Sequence, residues 1–126
     1  MMDLAPAGVP ITMRDSEVSC IATHDDTLVI DLPVACVRGA SSRYLRAVRI
    51  DLGTAEILHR DGGCIGRLTD GELRIDGRRI ADCRVPAAVE GRIELRLNFA
   101  NGASLAAQGR SLRLHSAGGS FEYLHC

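Results

Sequence analysis

The chain has no tryptophan and no lysine, and its aromatic residues are two phenylalanines and two tyrosines in 126 positions. A core without aromatic rings must be aliphatic, so Leu, Ile, Val and Ala have to supply it. Single-stranded nucleic acid is held by aromatic platforms inside a basic groove. Four aromatics and a formal net charge of −1 offer neither. Nucleic acid is therefore not expected as a partner. No segment approaches the run of about 18 apolar residues that a membrane span needs. The opening residues, MMDLAPAGVPITMRDSE, have neither a basic leader nor a long apolar stretch, and the expectation is a cytoplasmic protein.

Chemical motifs are equally scarce. There is no Cys-x-x-Cys, no phosphate-binding glycine loop and no Asp-x-Asp-x-Asp-Gly calcium pattern. Five cysteines, at 20, 36, 64, 83 and 126, are odd in number and widely spaced. That is not a secreted disulfide framework, and the thiols read mostly as small buried hydrophobes. Two loose pairs, Cys20 with His24 and His59 with Cys64, have the residue types of a zinc site but not its tight spacing. Cys64 also follows His59 and Asp61 in a glycine-rich turn, a combination that a nucleophilic thiol would require. Such groups are normally assembled by the fold rather than by adjacency, so no catalytic residue, metal or cofactor is expected.

What is present is rhythm. Residues 93–115, IELRLNFANGASLAAQGRSLRLH, alternate apolar and polar up to Asn101-Gly102 and again after it. Alternation around Asn-Gly is a hairpin signal, with positive φ expected at both turn positions. Leu28, Ile30 and Leu32 alternate after Asp25-Asp26, and Val18, Cys20 and Ala22 are read as sharing one face before it. Leu73 and Ile75 alternate between a turn at Thr69-Asp70-Gly71 and another at Asp76-Gly77. Eight to ten short strands follow, separated by turn signals every 8–12 residues. The fold expected is all-β, an antiparallel sandwich or flattened small barrel in one domain over 17–126. Residues 1–16 are read as an irregular arm that contributes at most an edge strand near Ile11–Met13. Residues 41–48 have a competing helical reading, although Ile50-Asp51-Leu52 favours a strand.

Charge is unevenly spread. Residues 1–32 carry six acids against Arg14, and residues 33–126 carry 14 arginines against 10 acids. Arginine makes bidentate, weakly hydrated contacts and is enriched at interface hot spots. The function expected is a non-enzymatic protein-binding module, such as an inhibitor, an immunity-type protein or an accessory subunit. Its contact residues would be Arg46, Arg49, Arg74, Arg96 and Arg113 on outward sheet faces, with Tyr44 and Tyr123 as anchors. The partner would be another protein, and a homodimer across an edge strand is a further expectation. Two alternatives are a barrel holding a small apolar ligand, with Ala22, Ala47 and Ala107 leaving room inside, and a metal-dependent cupin-like enzyme.

Overall fold

Large aliphatic residues at every second position have one stable arrangement, a pleated sheet with that face turned away from water. The computed structural model describes residues 8–39, 44–80 and 83–116. Among them are ten strands and no helix. They are β1 (Val9–Val18), β2 (Cys20–His24), β3 (Thr27–Val37), β4 (Tyr44–Gly53) and β5 (Glu56–Arg60). The rest are β6 (Gly66–Ile75), β7 (Arg78–Arg79), β8 (Cys83–Val85), β9 (Ala87–Phe99) and β10 (Ser104–Ser116). The helical reading of 41–48 fails from Tyr44 onward, because Val48, Ile50 and Leu52 pair with Leu32, Ile30 and Leu28 of β3.

Six strands close into an antiparallel barrel in the order β1, β3, β4, β10, β9, β6 and back to β1. The other four extend it. β2 continues β1 along β3, and β5 continues β4 along β10. β7 pairs with β6, and β8 pairs with β1. The interior holds Leu28, Ile30, Leu32, Ile50, Leu52, Leu68, Ile93 and Leu97, all fully buried. Phe99 is the aromatic residue among them.

Closure depends on β1, which the sequence reading placed in an irregular arm. From Val9 it is a strand, and it is central rather than marginal. On one side it pairs with β3, from Ile11 with Val37 to Glu17 with Val34, and on the other first with β8 (Ile11 with Cys83) and then with β6 (Val18 with Gly66). Between Thr12 and Glu17 the ladder with β3 is broken by a bulge, in which Asp15 takes a left-handed φ of 69°. Ser16, fully buried, repairs the break. Its hydroxyl donates to Thr12 O at 2.7 Å and accepts from Cys36 N–H at 2.9 Å.

Similar irregularities explain the other departures from simple alternation. Ser19 interrupts the chain and donates its N–H to Asp31 O. The phase then inverts, so Ile21 faces inward opposite Ile30, while Cys20 and Ala22 lie on the outer face opposite Asp31 and Val29. Thr69-Asp70-Gly71 is not a turn. β6 runs straight through it with one extra residue between Leu68 and Asp70. A side chain at Gly71 would stand 2.4 Å from Met13 Cβ, so the glycine lets β1 pack against β6. Along β10 a register slip at Gly109–Ser111 moves the inward set from Leu105 and Ala107 to Leu112 and Leu114. Both halves thereby keep their apolar residues inside.

The turns divide in the same way. Asp76 and Gly77 both have positive φ, at 52° and 82°, as a type I′ hairpin needs. At Asn101-Gly102 only the glycine does, at 92°. The loop there is wider, and Asn101 Oδ1 accepts the Ala103 N–H inside it. Of the alanines expected to leave internal room, Ala107 is inside, Ala22 is outside, and Ala47 is half-buried.

Ser16→Ala leaves the Cys36 N–H and the Thr12 carbonyl without their partner in a buried bulge. The expected cost is about 1–3 kcal/mol, read as a lower midpoint in urea with an unchanged slope. An unaltered midpoint would show that the bulge does not need the hydroxyl.

Candidate functional site

An interior filled with leucine and isoleucine leaves chemistry to the outer surface. Across β6, β9, β10 and β5 the register aligns outward residues into two rows. The first is Glu72, Arg96, Ala106 and His59, and the second is Arg74, Glu94, Gln108 and Glu56. Charge alternates both along and across β6 and β9. Ala106 is the small member, and a groove of about 400 Å³ opens over it, bounded by Leu58, Glu72, Arg74, Glu94 and Arg96. Leu58 is there because β5 holds one more residue than β10 between Ile57 and His59. The extra residue bulges outward and is 57% exposed.

Part of this face is already committed. Arg74 Nε donates to Glu72 Oε2 at 2.9 Å, and Gln108 Nε2 donates to Glu56 Oε1 at 2.7 Å. The side chains of Arg96 and Glu94 make no hydrogen bond or ion pair with another described residue. The groove thus presents one uncommitted guanidinium, one uncommitted carboxylate and an exposed leucine around a small floor. Its lining of alternating charge around an apolar anchor can bind a complementary surface.

The arginines read from the sequence do not form one surface. Arg74 and Arg96 border the groove. Arg49 is on β4 and is taken by a structural ion pair, with its Nε 2.7 Å from Asp31 Oδ1. Arg113 is exposed on β10, seven residues beyond Ala106, or about 23 Å along the strand. Arg46 and Tyr44 are exposed on β4, and Tyr123 lies outside the described residues. Beside Arg49, His115 Nε2 meets Asp51 Oδ2 at 2.9 Å, and Asp51 Oδ1 is buried without a partner. Leu58 and Ala106 were not legible as site residues, because a bulge has no sequence signal and an alanine reads as core filler.

The Cys/His pairs resolve as structure. His59 turns to Asp61, with Nε2 to Oδ1 at 3.1 Å, rather than to Cys64. Asp61 Oδ2 accepts from both the N–H and the hydroxyl of Ser104, at 3.0 and 3.3 Å. The Cys64 thiol donates to the carbonyls of Asp61 and Ser104. These bonds clamp the loop after β5 to the start of β10. Burial raises the Cys64 pKa, and the Arg60 charge opposes that only in part. The thiol stays protonated and meets no base. Burial likewise pushes the Cys83 thiol up to about 11. Cys36, Cys64 and Cys83 are free, whereas Cys20 is disulfide-bonded, so the reading of the cysteines as simple buried thiols fails at Cys20. His24 is exposed at the end of β2. Among the described residues no group of three His, Cys, Asp or Glu side chains is arranged to hold a metal ion, and no helix is long and apolar enough to cross a membrane.

Comparison with protein-family models, curated proteins and solved structures finds no match to this chain.

The hydrogen bond with His59 and the Ser104 N–H hold the Asp61 carboxyl below its ordinary value of 3.8. A pKa lowered by folding contributes stability above the unfolded value, and that stability is lost as pH falls through the folded value. Asp61→Ala is therefore expected to melt below wild type at neutral pH, and the gap should close below pH 3.8. A constant gap down to acid pH would place the clamp's strength elsewhere. For the thiols, native iodoacetamide labelling followed by mass spectrometry should modify half-buried Cys36 well before Cys64 or Cys83. Rapid labelling of Cys64 would contradict its role as a buried donor.

Proposed function

We propose that this barrel is a non-enzymatic protein-binding module whose contact surface is the outer groove of β5, β6, β9 and β10. The observation that carries the reading is the pairing of uncommitted charge with exposed apolar surface. Arg96 and Glu94 have no ion-pair partner among the described residues, and Leu58 stands 57% exposed beside them. An arginine beside an apolar anchor is the composition that concentrates binding energy in protein interfaces. The four large apolar residues exposed in the described chain are Tyr44, Ile57, Leu58 and Ile65. Three of them lie between 57 and 65, on β5 and the loop after it.

Contact by the sheet face is favoured over strand addition. β5 pairs with β10 alone among the described strands, which leaves one edge open. Its bulge at Leu58 twists that edge. Arg60, opposite inward-facing Leu105, turns across the barrel mouth, with Nη2 3.5 Å from Ile21 O. A bulge and an inward-pointing charge are both devices that block edge pairing.

The test is a photo-cross-linking amino acid at position 58, irradiated in the native cell lysate. The expected result is one discrete protein adduct that is lost when Arg74 and Arg96 are both changed to Glu. Absence of any adduct, or an adduct indifferent to those changes, would overturn the reading.

A further inference from the structure

We propose that the occupant of this groove is a second copy of the chain, docked face to face about a two-fold axis. The axis runs parallel to the sheet just above its outer face, crosses the strands between the two rows, and passes by Leu58. The inference rests on the reading of the groove as a protein contact and names the partner.

The argument is self-complementarity. A two-fold axis between the rows lays each residue of the first row on its strand neighbour in the second. Glu72 then meets Arg74 of the other copy, and Arg96 meets Glu94. His59 meets Glu56, Ala106 meets Gln108, and Leu58 meets its own counterpart. Glu72, Arg74, Glu94 and Arg96 each face a residue of opposite sign, and the smallest residue faces one of the longest. The exposed leucines close on each other at the centre. Contact by one patch on both copies is the isologous geometry that closed dimers use. A partner built otherwise would have to reproduce this alternation, whereas a second copy carries it already. Interdigitating, aligned faces are also how antiparallel sheets stack.

The patch is four strands wide, about 14 Å at the usual strand spacing. It falls below the size of a stable interface, so the dimer is weak and concentration-dependent. Its charged rim makes it weaker still in high salt.

Sedimentation equilibrium of the purified chain is the test. At low salt the apparent mass should rise with concentration from 13.5 kDa toward twice that value. Arg96→Glu puts carboxylates opposite each other at two places and should weaken association about tenfold or more. Glu94→Arg combined with Arg96→Glu restores opposite signs across the axis and should recover most of the loss. Leu58→Asp sets one charge against itself and should abolish the dimer, while its exposure leaves the melting temperature near wild type. A chain that stays at 13.5 kDa up to millimolar concentration overturns the second copy. So does a dimer that Arg96→Glu and Leu58→Asp leave intact. If the cross-linker at position 58 then still captures a different protein, the protein-binding reading survives without this one. If it captures nothing, both fall.

Discussion

A strand in a closed barrel can bulge away from its neighbour only if the backbone groups released at the bulge find new partners. This constraint governs the fold. β1 carries extra residues between Thr12 and Glu17 while keeping β3 on one side and gaining β6 on the other, and Ser16 fills that bulge, giving one hydrogen bond and accepting another. An unpaired backbone group in that position would cost about as much as a lost hydrogen bond. The remaining irregularities obey the same rule. Ser19 donates to Asp31 O, and Asp76 Oδ1 accepts the Arg92 N–H where the register of β9 with β10 shifts. Where β10 changes its neighbour from β5 to β4, Gly109 lets the two backbones approach. A Cβ there would lie 2.7 Å from Gly53 O.

Closure also decides where function can lie. The interior is spent on aliphatic packing, and most of the polar clusters outside it are internally satisfied. Asp61 is held through both oxygens by His59 and Ser104, and Asp31 Oδ1 is held by Arg49. They fasten strands and loops together and have little left to offer another molecule. The groove over Ala106 differs because its Arg–Glu lattice is half spent. One arginine and one glutamate are paired on β6, and one of each remains on β9. The bulge that lifts Leu58 into solvent also interrupts the ladder between β5 and β10.

Much of the barrel was readable from residue order. The alternations at 28–32, 48–52, 73–75 and 93–99 have the correct inward face, and Asp76-Gly77 is the tight turn it resembled. The reading failed wherever a strand absorbs an extra residue. Thr69-Asp70-Gly71 has the composition of a turn, yet it is the middle of β6. The residues after Ser19 have the opposite phase from the one alternation assigns. Only neighbouring strands reveal such a shift, because the extra residue is defined by what it fails to pair with. The arginines were legible as outward residues but not as a group, since outwardness is a property of one strand and adjacency is a property of the sheet.

By itself the sequence determined the class of the fold, because a two-residue period of aliphatic side chains leaves no stable alternative to a sheet with one buried face. Tertiary structure decided the closure, the strand order and the location of the groove. Those depend on which strands meet and in what register, and that is settled by long-range backbone pairing that local composition does not encode.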